Sequence, residues 1–210
     1  MASTVSICNL ALGHLGADKI DALSEASTEA RACNRFYGQT LDALLAAGPP
    51  WRFARHQAVL AEVPGAAVSG FVGGRWAHAY ALPVDLLRVR AVRPAEGAAS
   101  GVILPGDLSG FEERGYPYEL SGDRLLTDLS PAVLGYIRRI DDPSKFPPLF
   151  VEALSWHLAA RLAMPLTRDA GQRQAAFQMA LQTQAAASAA DANDERAGSG
   201  FVSDYERVRQ

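Results

Sequence analysis

The side chains that most invite a reading as proton carriers or metal ligands in this chain of 210 residues are His14, His56, His78 and His157, and the adjacent carboxylates Asp141 and Asp142. Acid–base work needs a titratable group held beside a second one, and a zinc site needs several donors converging. No two of the histidines stand three or four residues apart, the spacing that puts two imidazoles on one helical face. Asp142 stands directly before Pro143, which is turn chemistry, and no partner acid or histidine accompanies the pair at a useful spacing. The glycines at 70–74 lack the Gly-Lys-Ser/Thr ending of a phosphate loop, and there is no Gly-x-Ser-x-Gly elbow or dinucleotide fingerprint. The sequence therefore assigns no catalytic, metal-binding or cofactor-binding residue. Cys8 and Cys33 each occupy an apolar helical position and read as free buried thiols of a reducing compartment. A disulfide between their helices is the alternative, with no support in the sequence.

Composition narrows the class. With 49% hydrophobic and 20% charged residues the chain can bury a core, as one large domain or two small ones. A net charge of −3, and Arg138-Arg139 as the one adjacent basic pair, argue against a general nucleic-acid binder, which needs a basic face. No charged segment followed by an apolar one opens the chain, so no secretory signal is expected. No uncharged apolar run reaches the roughly 18 residues of a membrane span.

The elements follow from periodicity and punctuation. Ser3 or Thr4 caps a first helix to about Leu15, with Ile7 or Cys8, Ala11, Leu12 and Leu15 on its apolar face and Gly16 after it. His14 lies at its C-terminal end, where the helix dipole favours a proton on imidazole, or reads as a plain boundary residue. A second helix over 28–47 presents Ala30, Cys33, Tyr37, Leu41, Leu44 and Leu45 on one face. Gly48 can close it with a positive φ, Pro49-Pro50 forbids continuation, and Trp51 and Phe53 follow at once as an aromatic corner. From 55 to 140 Gly and Pro punctuate short strands, read at 59–63, 76–82, 86–92 and 134–140, with a hairpin of 118–120 and 124–127 about Gly122. Residues 95–110 read as a loop. A third helix over 148–164 carries two ridges, one of Phe150, Leu154, Leu158 and Leu162, the other of Leu149, Ala153, Trp156, Ala160 and Ala163. Pro165 breaks it. A fourth helix over 169–194, roughly 35–40 Å long, is rich in Ala and Gln, with Phe177, Met179 and Leu181 as its large apolar residues.

The expected fold is α+β: an antiparallel helical bundle built from residues 1–55 and 141–195, a central antiparallel β insertion at 56–140, and a flexible C-terminal tail at 196–210.

In order and spacing, several segments resemble one family. They are Asn9-Leu10-Ala11-Leu12, the Ala30-x-x-Cys33 helix with Tyr37, the Trp51-x-Phe53-Ala54 corner, and Tyr80-x-Leu82-Pro83-x-Asp85. Downstream stand Tyr118-Glu119 before a Gly turn and Leu125-Leu126-Thr127, then Asp142-Pro143-x-Lys145-Phe146 leading to Phe150-x-x-Ala153-Leu154. Together they resemble the tail tubular protein A, or head-to-tail adaptor ("gatekeeper"), family of short-tailed bacteriophages.

The resemblance implies a structural virion protein, not an enzyme. It implies a homo-oligomeric ring, dodecameric in the virion, between the portal protein and the tail nozzle protein, extending the DNA channel and helping retain packaged DNA. DNA would pass without sequence-specific binding, and no membrane would be involved. The protein would reside at the head–tail interface, and in the host cytoplasm during assembly. Trp51, Phe53 and Ala54 would pin the β region to the bundle, Tyr80, Leu82, Pro83 and Asp85 would mark the family pattern within it, and Phe201 and Tyr205 would dock on the portal. The alternatives are a head-completion or connector protein of a long-tailed phage or gene-transfer particle, and a small hydrolase joining His78 or His157 to Asp141.

Overall fold

In the computed structural model, residues 2–49, 51–63, 75–95 and 115–193 are described. They form a mixed α+β protein of four α-helices and two small antiparallel sheets of three strands each. Two compact units result, one from the chain up to Leu41 and from Phe146 onward, the other from Asp42–Lys145. The turn read at 70–74, the loop beyond Ala95, and the tail with Phe201 and Tyr205 lie outside the described residues.

The first unit begins with α1 (Thr4–His14), opened by a capping box in which Ser3 and Ser6 each accept the other's backbone N–H, at 3.0 and 2.7 Å. Gly16 turns the chain out of the helix at φ +66°. Asn9 then clasps the connection: its Oδ1 accepts from Ile20 N–H and its Nδ2 donates to Ile20 C=O, both at 2.9 Å. The side-chain amide thus stands in for a neighbouring peptide and seats buried Ile20 against the helices. Ser27 Oγ accepts from Ala30 N–H at 3.2 Å and caps α2 (Thr28–Ala47).

Pro148 opens α3 (Pro148–Thr167), and Asp169 caps α4 (Ala170–Asn193) by accepting from Gly171 and Gln172 N–H. Only Arg168 and Asp169 join them, and His157 meets Gln184, so the two run antiparallel. Pro165 lies inside α3 instead of breaking it. In the last turn its missing N–H forfeits a single bond. Ala163 C=O collects both Thr167 Oγ1 and Arg168 N–H, with Arg168 left-handed at φ 57°. The ridge of Phe150, Leu154, Leu158 and Leu162 is buried, but Leu149 of the second ridge is exposed. On α4 the buried side chains are Ala176, Ala180 and Ala187, while Phe177, Met179 and Leu181 face outward.

The second unit carries the strands. In one sheet β6 (Ala132–Arg138) lies between β1 (Arg55–Val59) and β3 (Leu86–Pro94); in the other β5 (Arg124–Thr127) lies between β2 (His78–Ala81) and β4 (Tyr118–Ser121). Tyr80 and Leu125 of one sheet share a buried cluster with Val92, Leu134 and Tyr136 of the other. Gly122 occupies the first central position of the β4–β5 turn at φ +59°, the sign a type II′ turn requires. Three strand positions differ from the expected ones, the strand expected at 134–140 being Ala132–Arg138. The strand expected at 59–63 is formed by Arg55–Val59, and Glu62 instead bridges Tyr80. The strand expected at 76–82 is confined to His78–Ala81. Which residues pair depends on the ladder β6 and β5 offer, not on local alternation.

Replacing Asn9 by Ala removes both bonds to Ile20. It should cost about 2 kcal/mol of stability, read by chemical denaturation with the fold retained.

Candidate functional site

The end of α2 leaves carbonyls with acceptor capacity to spare. Each one described here is met by a side chain of the second unit. Leu44 C=O accepts from Gly48 N–H and from the Trp51 indole Nε1–H, both at 3.1 Å. Ala46 and Gly48 C=O accept from Arg88 Nη1 at 3.2 and 3.3 Å. A cation there also suits the negative end of the helix dipole.

Trp51 is 1% exposed, and its approach depends on Gly48. A Cβ on Gly48 would stand 2.6 Å from Leu44 O and 2.6 Å from Trp51 Nε1. The expected positive φ at Gly48 is not found; only Gly16 and Gly122 take it among the described glycines. Gly48 is needed for the space its missing Cβ leaves. Trp51 C=O then accepts from Ala54 and Arg55 N–H, closing a 3₁₀ turn (Arg52–Ala54) that leads directly into β1. Ala54 is fully buried, and the Phe53 ring lies 6.3 Å from that of Trp51.

The second patterned segment sits nearby through its hydrogen bonds. Leu86 N–H bonds to Pro83 C=O and closes the turn. Asp85 does not fold its side chain onto the following backbone; its Oδ1 accepts from Tyr136 O–H at 3.0 Å. Burial first, then the Asp85 bond and charge, push the Tyr136 phenol up to about 12, so it stays a donor. Asp85 C=O accepts from Arg139 N–H at 2.7 Å. The Arg139 guanidinium lies 3.2 Å from Asp42 on α2, an ion pair without hydrogen-bond alignment, and 2.9 Å from Asp141. All three side chains are partly exposed, so these pairs orient more than they stabilise. Tyr80 donates to Leu129 C=O at 2.7 Å, and Leu82 N–H bonds to Asp123 C=O at 3.1 Å. Arg139 and Arg88 thereby tie the Asp85 turn to the α2 terminus and the Trp51 corner. Sequence reading missed both arginines, although unpaired helix carbonyls ahead of Pro49 were a signal that a donor must come from elsewhere.

The histidines are dispersed. His78 Nδ1 lies 2.8 Å from Glu62, and His157 Nε2 donates to Gln184 Oε1 at 2.8 Å. Asp141 bonds to Arg139. The His56 ring meets Tyr136 edge-on at 5.6 Å. His14 stacks on Trp156 with centroids 3.6 Å apart, and its Nε2 lies 2.9 Å from Ser155 Oγ. That contact has the reach of a base and nucleophile, but Ser155 is fully buried and its one hydroxyl proton goes to Glu152 C=O at 2.8 Å. The hydroxyl therefore accepts from His14 and is not activated by it. The dipole effect expected at His14 is outweighed: burial lowers its pKa, against a smaller opposing effect of Glu152. Burial likewise lowers His157, assisted by Arg161 and opposed by the Gln184 bond. Among the described residues no group of three or more His, Cys, Asp and Glu side chains could hold a metal ion, and no helix is long and apolar enough to cross a membrane.

No family model matches this chain, and no curated protein matches it.

Gly48→Ala should destabilise by about 1–3 kcal/mol through forced displacement of Trp51. Gly13→Ala, where a Cβ meets nothing within 4 Å, should stabilise α1 by about 0.5–1 kcal/mol. Denaturant unfolding of the two variants should therefore shift in opposite directions. In the unfolded chain His14 and His157 protonate near the ordinary 6.5, in the folded protein only at lower pH. Unfolding then takes up protons as pH falls through 6.5, so their contribution is complete above that value and is lost toward the folded pKa. Thermal midpoints should fall between pH 7.5 and 5, and His14→Gln should shallow that slope.

Proposed function

We propose that this chain is a head-to-tail adaptor of a short-tailed bacteriophage, a structural virion protein that forms a ring between portal and tail nozzle. In this reading residues 1–55 and 141–195 make an antiparallel helical bundle, 56–140 a central β insertion, and 196–210 a tail that docks on the portal through Phe201 and Tyr205. The ring, dodecameric in the virion, extends the DNA channel and helps retain packaged DNA.

The observation that carries the reading is the corner at Trp51. The Trp-x-Phe-Ala segment that resembles the family converts the end of α2 into β1 within a few residues, held by the Trp51–Leu44 bond. Such a junction suits a protein that transmits position between layers of an assembly. The net charge of −3 supports it as well, since a channel through which DNA slides is not served by a basic lining that holds phosphate.

Light scattering coupled to size exclusion, on the protein alone and mixed with the portal protein of the same phage, tests this. Co-migration in a ring-sized complex, lost when residues 196–210 are deleted, is the expected outcome. A chain that remains a monomer beside the portal would sink the docking reading.

A further inference from the structure

α4 presents to solvent side chains that a helix ordinarily hides. Its buried contacts are the methyls of Ala176, Ala180 and Ala187, while Phe177 is 45% and Leu181 46% exposed. The two stand four residues apart and so share a face. Met164 on α3, 42% exposed, extends that face. It lies seven residues after His157, as Phe177 lies seven before Gln184, so the His157–Gln184 bond brings the two level. The same helix is bare of charge. From Gln174 to Ala190, a run of 17 residues, it carries no charged side chain. A solvated helix normally carries charges of both signs along its outer side. Arg173 stands at one end of the run and Asp191 at the other. Their positions differ by 18, which is five turns and about 27 Å, so both lie on one line along the helix, beside Phe177.

We propose that α4 is the contact through which two copies of this chain associate, its uncharged face packed antiparallel on the same face of the second copy about a two-fold axis. The charges select a second copy as the occupant. Antiparallel pairing sets Arg173 of each copy opposite Asp191 of the partner subunit, so two ion pairs bracket an apolar middle; parallel pairing would set like charges together. Leu181 lies next to the midpoint between Arg173 and Asp191 and meets its own counterpart there, with Phe177 and Met164 on either side of that contact. Each copy carries a net charge of −3, and repulsion is least where α4 carries none. A contact of like with like about a two-fold axis closes on itself and does not propagate. This pairing is therefore separate from the ring contact proposed above and does not rest on that reading. A single pair of helices buries area at the small end of specific interfaces, so the dimer is a weak one.

Sedimentation velocity of the full chain over a concentration series tests this. The expected result is a monomer–dimer equilibrium with nothing larger. Phe177→Gln combined with Leu181→Gln, both at exposed positions, should leave the circular dichroism unchanged and abolish the dimer. Arg173→Asp alone and Asp191→Arg alone should each weaken the dimer by about 3–10-fold, and the two together in one chain should restore it. A monomer at every concentration, a larger assembly, a dimer indifferent to the Phe177 and Leu181 substitutions, or a double reversal no better than either single one would overturn the proposal.

Discussion

A helix that ends inside a protein must find partners for its last carbonyls, and that demand organises the second unit. At the end of α2 the partners are the Trp51 indole and the Arg88 guanidinium. The indole can reach Leu44 only because position 48 has no side chain. Once Trp51 is seated, the 3₁₀ turn and the direction of β1 follow from its carbonyl accepting Ala54 and Arg55. Once Arg88 is committed to the helix end, the register of β3 against β6 is constrained, and the Asp85 turn is brought to Tyr136 and Arg139. One unsatisfied-carbonyl problem thus links three segments distant in sequence.

The first unit solves a different problem, the approach of helices. α4 buries alanines and turns its larger apolar side chains outward. Alanine loses no side-chain entropy on burial, and its methyl allows α3 and α4 to lie close beside a two-residue connection. Several polar groups that enter this unit are paired: Asn9 with the Ile20 backbone, Ser155 with Glu152 and His14, His157 with Gln184. These contacts explain why histidines with hydrogen-bonding neighbours need not be chemical groups. Burial lowers the His14 pKa, and its ring stacks on Trp156 and donates to Ser155 in a packed layer.

Much of the element plan was legible. Ser3, Gly16, Ser27 and Pro148 act locally, so helix starts and the end of α1 could be read from them, and Gly122 marked its hairpin for the same reason. Pro165 misled because proline's cost depends on where in the helix it falls, and a last turn has little to lose. The strand read at 59–63 misled because apolar alternation does not specify a partner; β6 pairs with 55–59 instead. Asp85 was read as a local turn acid, yet its side-chain partner stands at position 136.

The sequence by itself determined the helices and the hairpin, because caps, turns and periodicity are satisfied within a few residues. It also determined that no local catalytic or metal motif is present. Only the tertiary structure decided that Gly48 serves by absence of a side chain, that Arg88 and Arg139 tie the Asp85 turn to the end of α2, and that Cys8 and Cys33 join one buried cluster. Those are contacts between residues far apart in the chain. Their partners are chosen by which backbones pack together, and no spacing along the sequence encodes that choice.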